Sequence, residues 1–269
     1  MTPTLSPTRP TMPTTALNVV FDEGERYWTV SRRTMLAYLL LPWAGAVLVA
    51  LSLFNRPLFR FFTAEDNLLE WVSFACMAGS SVCAAAVAWN HWRAGRRAPA
   101  LLWAVLALGA FIIAGEEIAW AQRVFDLETP EALDEINHQG EITAHNINGV
   151  QDAVNVVFLI VGFLGSVVTG AVRWREHQRR APSAERRHWF SDYILPPTFL
   201  ASLFAVVFGY KLVRFVILSE PRRAVVRYGE YVEFCLAFAL ISFAWFMLRR
   251  LRAEVSDEPA PRAAPMSAP

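Results

Sequence analysis

Glu116 and Glu117 stand side by side in the run Phe111-Ile-Ile-Ala-Gly-Glu-Glu-Ile-Ala-Trp-Ala-Gln-Arg123, which otherwise has the composition of a membrane span. An ionised side chain in hydrocarbon costs roughly 2.5–3.5 kcal/mol on insertion scales. Two acids kept there need a polar cavity, a cationic partner or a metal. Their chemistry is proton transfer or the binding of a hard divalent cation. Other residues of this character recur in apolar runs. Glu70 follows Glu65 and Asp66 in Thr63-Ala-Glu-Asp-Asn-Leu-Leu-Glu-Trp71. Lys211 and Arg214 are spaced i, i+3, as are Glu230 and Glu233, so each pair shares a helix face.

The segment 122–152 between two apolar runs is too long for a plain connector. It is acidic, with Asp126, Glu128, Glu131, Asp134, Glu135, Glu141 and Asp152. Thr129-Pro130-Glu131 reads as N-cap, proline at the first helical position and an acid in the first turn, predicting a short surface helix from about 130 to 137. Asn137-His-Gln-Gly-Glu-Ile-Thr-Ala-His-Asn146 follows, dense in hydrogen-bonding and metal-ligating groups. Glu116, Glu117 and His145 are the candidate catalytic residues and the candidate ligands of a divalent metal. Gln122, Arg123, Asn146, Lys211 and Arg214 are the candidate substrate-binding residues, and Glu70, Glu141, Glu230 and Glu233 would support them. Bland roles compete with these. Glu65 and Asp66 suit a helix N-terminus. Lys211 and Arg214 can snorkel to headgroups. Glu116, Trp120 and Arg123, at i, i+4, i+7, can form a structural clamp on one helix face.

The elements that must position these groups are membrane helices. The chain of 269 residues is 55% hydrophobic with a mean hydropathy of +0.31, too apolar for an ordinary soluble domain. Six stretches reach the ~20 apolar residues a span needs: about 35–54, 67–89, 99–121, 153–172, 194–218 and 231–248. The expected fold is an all-α bundle of six transmembrane helices over 34–252, between disordered tails at 1–33 and 253–269. Cys76, Cys83 and Cys235 fall inside spans and read as small apolar residues. Gly162 and Gly165, and Ala75 and Gly79, would permit close helix contacts.

Arginine sorts by side. Seventeen lie in the N-terminal tail, the 2–3 and 4–5 connections and the C-terminal tail, against six on the opposite side. The positive-inside rule then places both termini in the cytoplasm, in agreement with an even number of spans. At 1.5 Å per residue, Glu70, Glu116, Glu117, Lys211, Arg214, Glu230 and Glu233 all fall within roughly 10 Å of the outer boundary. Four helices therefore contribute to one layer, a polar pocket beneath the 122–152 segment. Five carboxylates face Lys211 and Arg214, with Arg123 at the rim. The excess negative charge calls for protons, water, a metal or a cationic substrate.

Gly115-Glu-Glu-Ile-Ala-Trp-Ala-Gln-Arg123, Thr129-Pro-Glu131, Asn137-x-Gln-Gly-Glu141 and His145-Asn146 resemble the signature of a group of bacterial polytopic membrane proteins. In that group Gly-Glu-Glu-Ile-x-Trp-x-Gln-Arg precedes Asn-x-Gln-x-Glu and His-Asn. The resemblance covers about residues 60–240. It implies that these polar residues belong together in a bacterial inner-membrane protein; it supplies no reaction.

Three functions fit. The first is a membrane-embedded enzyme acting on a lipid or lipid-linked headgroup, with Lys211 and Arg214 holding an anionic group. The second is an accessory protein whose buried salt-bridge network fixes a partner-binding face. The third is an ion- or proton-coupled transporter, although coupled transporters usually bind at the midplane and the inner halves of these spans read as dry. Nothing suggests nucleic-acid binding.

Overall fold

A computed structural model describes residues 15–63, 68–125, 129–130, 143, 150–179, 189–217 and 223–256. All regular structure among them is helical, and six helices are long and apolar enough to cross a membrane. The first span is Arg32–Ser52, the second Leu68–Arg93 and the third Arg97–Glu117. The fourth is Val150–Gln178, the fifth Thr198–Phe215 and the sixth Gly229–Ser256.

The spans alternate in direction. One end of the bundle gathers Arg32, Arg93, Arg97, the 189–198 connection and the end of the sixth span, tied by Arg96–Glu254 at 3.5 Å and Arg250–Asp192 at 3.9 Å. We call this the arginine-rich end and its opposite the loop end. The sixth span is the hub: 72% of its apolar window is buried, against 17% for the first. Its fully buried positions Val232, Cys235, Ala237, Ala239 and Met247 form the core with Met35, Met77, Phe199 and Val207. The first span turns Leu40, Leu41, Val47, Leu48 and Leu51 outward, where lipid would lie. The second and third spans pack on each other, the fourth packs on the fifth, and the third and fourth share no extended contact.

Small residues set the closest approaches. A methyl group on Gly162 would come 2.7 Å from the backbone nitrogen of Phe208, so the fourth and fifth spans touch backbone to backbone there. Gly165 lies against the Phe204 ring and Gly79 against Ile241, as the close-contact expectation requires. Ala75, by contrast, is exposed. Cys76 and Cys83 are half-buried, Cys235 is buried, and all three are free thiols.

The expected N-terminal disorder over 1–33 needs correction from residue 15 onward. Ala16–Tyr27 is an amphipathic helix capped by Thr15, and it docks against the arginine-rich end. One of its acids has a structural use. The Glu23 carboxylate is 2% exposed. It pairs with the Arg173 Nε at 2.9 Å and accepts from the Thr198 amide at 3.0 Å and hydroxyl at 2.6 Å. The N-terminal helix thereby caps the first turn of the fifth span. Arg173, counted in sequence as a topology marker, is 2% exposed, donates to the Ser191 carbonyl and pairs with Glu176 at 3.0 Å. The halves of the spans toward the arginine-rich end, expected to be dry, are therefore not dry. Nearby, burial together with the negative charge of Glu254 pushes the Tyr193 phenol above its ordinary range. His91 is fully buried, edge-on to Tyr193 at 4.7 Å between ring centroids, and neither ring nitrogen has a hydrogen-bond partner among the described residues.

Candidate functional site at the loop end

Lys211 is the best-defined residue of the loop end. It lies on the last turn of the regular helix Ala201–Leu212 and is 1% exposed. Snorkelling is thus ruled out for it: the ammonium group points into protein. Its Nζ donates to Asn155 Oδ1 at 2.6 Å, stands 3.8 Å from Glu233 Oε1, and lies 5.0 Å from the centre of the Phe158 ring. Asn155 and Phe158 occupy the second and third turns of the fourth span and are 5% and 6% exposed. Sequence reasoning passed over Asn155. The available signal was an isolated amide in the apolar run Ala153-Val-Asn-Val-Val157.

Acids from three other helices gather at this level, and those that act on the cation itself, Glu233 and Glu230, lie on the sixth span. Glu117 is within electrostatic reach of Glu233, Glu230 and Glu70, and Lys211 within reach of Glu233, Glu230 and Arg214. The second, third, fifth and sixth spans thus bring Glu70, Glu117, Lys211, Arg214, Glu230 and Glu233 into one charged layer. Arg214 sits in a π turn, Val213–Ile217, at the end of the fifth span, beside the Tyr210 hydroxyl. That hydroxyl donates to the Val225 carbonyl at 2.8 Å, tying down the short helix Arg223–Arg227 that precedes the sixth span. A second π turn, Leu164–Val168, interrupts the fourth span. Such insertions are enriched at functional sites.

The two adjacent acids part company. The third span, expected to run to about 121, stops at Glu117, and Ala119 and Trp120 adopt left-handed backbone at φ 45° and 52°. Left-handed conformation in residues with a Cβ costs roughly 1–2 kcal/mol each. The strain is offset where Trp120 folds back: its indole lies against Gly115, its ring centre is 6.0 Å from that of Phe111, and its Nε1 donates to Glu116 Oε1 at 2.7 Å. The face-sharing expected of Glu116, Trp120 and Arg123 on one continuous helix is thus replaced by a turn. Glu116 meets Trp120 through that reversal, and Arg123 falls in a separate short helix, Gln122–Phe125. Gln122 donates to Thr129 Oγ1 at 2.7 Å, which pins the start of the following segment.

Several expected site residues lie outside the described residues: Glu65, Asp66, Glu141, His145, Asn146 and the surface helix expected at 130–137, of which Pro130 alone is described. Among the described residues, no group of three or more His, Cys, Asp or Glu side chains is placed to hold a metal ion. The expected set Glu116, Glu117 and His145 is represented there by its two glutamates, of which Glu116 is engaged by Trp120.

The loop-end layer and the Glu23–Arg173 pair are far apart. Asn155 and Arg173 are eighteen residues apart on one helical span, about 27 Å at 1.5 Å per residue. Between them the fourth span is apolar, except for Ser166 and Thr169, whose hydroxyls donate to carbonyls of the same helix. Compared with family models, with curated proteins and with solved structures, the chain matches none.

Proposed function

We propose that the chain is a membrane-embedded enzyme acting on the headgroup of a lipid or lipid-linked substrate, with its site at the loop end. One observation carries this reading: a fully buried lysine, oriented by Asn155 of the fourth span and faced by the carboxylates of Glu233 and Glu230 from the sixth. A buried cation of this kind is expensive to keep. Bound to an anionic headgroup, Lys211 and Arg214 would act as its clamp. Glu117 is the better proton-transfer residue of the adjacent pair, because Glu116 is held by Trp120 while Glu117 stands among Glu70, Glu230 and Glu233. Protons passed along such a carboxylate group supply general acid–base catalysis. If a divalent metal takes part, Glu117 with the acids beside it, and His145 from the adjoining segment, are the residues of the right hardness to meet it.

The apolar stretch between the loop-end layer and the Glu23–Arg173 pair favours local chemistry over a transmembrane ion path. The same layer would, in the accessory reading, be a packing network alone. We place both termini in the cytoplasm of a bacterial inner membrane, on the arginine asymmetry and the resemblance of the motifs; the loop end then faces outward. The test compares lipid extracts of membranes expressing the wild type, Glu117→Gln or Lys211→Met by mass spectrometry. A lipid species altered by the wild type and by neither variant, with both variants folded, is the expected result. Identical lipid profiles for all three would remove the enzyme reading.

A further inference from the structure

Among the described residues the third and fourth spans share no extended contact, and a side opening lies between them. It leads to a cavity of about 360 Å³ lined by apolar side chains, with little polar surface. Leu102 and Leu106 of the third span form one wall, and Val161 and Leu164 of the fourth form the other; Leu240 and Phe243 of the sixth span form the floor. Leu102 and Leu164 are 45% and 43% exposed and frame the mouth, whereas Leu240 and Phe243 are 8% and 5% exposed. The mouth therefore lies on the flank of the bundle, at a depth where a bilayer would present hydrocarbon. The volume is in the range of small-molecule sites and about twice that of a ~150 Å³ apolar cavity able to take benzene.

We propose that this cleft holds one hydrocarbon chain of a membrane lipid. Its lining offers too little polar surface to orient water or a soluble ligand, so the fitting occupant is apolar. Phe190, Ile194, Leu195 and Pro196 of the 189–198 connection close the cleft toward the arginine-rich end; that the chain belongs to a lipid whose headgroup sits in the loop-end layer rests on the function proposed above. Phe204, on the cleft wall, and Lys211 are seven residues apart on the fifth span, hence on one face and about 10 Å apart along the axis. Asn155 and Gly162 repeat that spacing on the fourth span, one turn before the cleft residue Gly165. The π turn beginning at Leu164 widens the fourth span at the mouth.

The test uses the full chain in phosphatidylglycerol vesicles containing a phospholipid with a diazirine at the end of one acyl chain. After illumination, labelled residues are mapped by mass spectrometry. Labelling is expected on the floor residues Leu240 and Phe243, which bulk lipid cannot reach, as well as on Val105, which is 68% exposed on the perimeter. Leu106→Trp, which fills the cleft, and Leu102→Trp, which narrows its mouth, should each lower floor labelling several-fold and leave Val105 labelling and thermal stability intact. Floor labelling that is absent, or unchanged in both filling variants, overturns the proposal. Lys211→Met separates the two readings. Floor labelling that depends on Leu106 but is unaffected by Lys211→Met sustains the chain site and removes the headgroup site.

Discussion

Glu23→Gln tests whether the buried ion pair holds the N-terminal helix to the bundle. The substitution keeps the shape of the side chain and an oxygen to accept from Thr198, and it removes only the charge. Arg173 is then left 2% exposed, facing a neutral amide, with Glu176 as its nearest anion. Glu176 is 28% exposed, so water screens it. Removing one partner of a buried pair costs about 3–5 kcal/mol, because the remaining charge stays desolvated. For a domain of this size that corresponds to a fall of roughly 6–20 °C in unfolding temperature. Glu23→Gln/Arg173→Met discards both charges together with their desolvation penalty, and should recover at least half of the loss. The assay is thermal unfolding in detergent, with protease sensitivity of the Ala16–Tyr27 helix as a second readout. A single-variant loss below about 1 kcal/mol, or additive losses in the double variant, would show that this pair is not coupled as its geometry indicates.

Other substitutions probe the site and the packing. Glu116→Gln should weaken the bond from the Trp120 indole and cost about 1 kcal/mol, visible as a small fall in unfolding temperature; Glu117→Gln should leave stability nearly unchanged and abolish lipid turnover. Lys211→Met should abolish turnover with little loss of stability, because the desolvation penalty of the buried cation disappears with it, as read by the lipid assay and thermal unfolding together. Gly162→Ala places a methyl group against the Phe208 backbone and should cost about 1–3 kcal/mol through overpacking, a loss that thermal unfolding would register. His91→Phe should stabilise the protein, because it replaces a buried ring whose nitrogens lack partners with an apolar one of similar shape; a fall in unfolding temperature would show that a partner had been missed.

The sequence by itself determined the six membrane-crossing helices. Length and apolarity are local properties, and hydrocarbon leaves the backbone few alternatives to a helix. It also indicated that Glu70, Glu117, Lys211, Arg214, Glu230 and Glu233 share a depth, because depth follows from counting residues along each span. What they touch depended on the rotation of each helix and on its neighbours. Tertiary structure decided that Lys211 points inward to Asn155, since a snorkelling lysine and a buried one have the same sequence. It separated Glu116 from Glu117 through a left-handed turn at Ala119 and Trp120, where side-chain contacts override the helical preference that period-counting assumes. It brought Glu23 to Arg173 and Thr198, 150 and 175 residues away along the chain, a pairing no local pattern encodes. It also opened the cleft between the third and fourth spans. A gap belongs to no segment of the chain and exists only where two helices fail to meet.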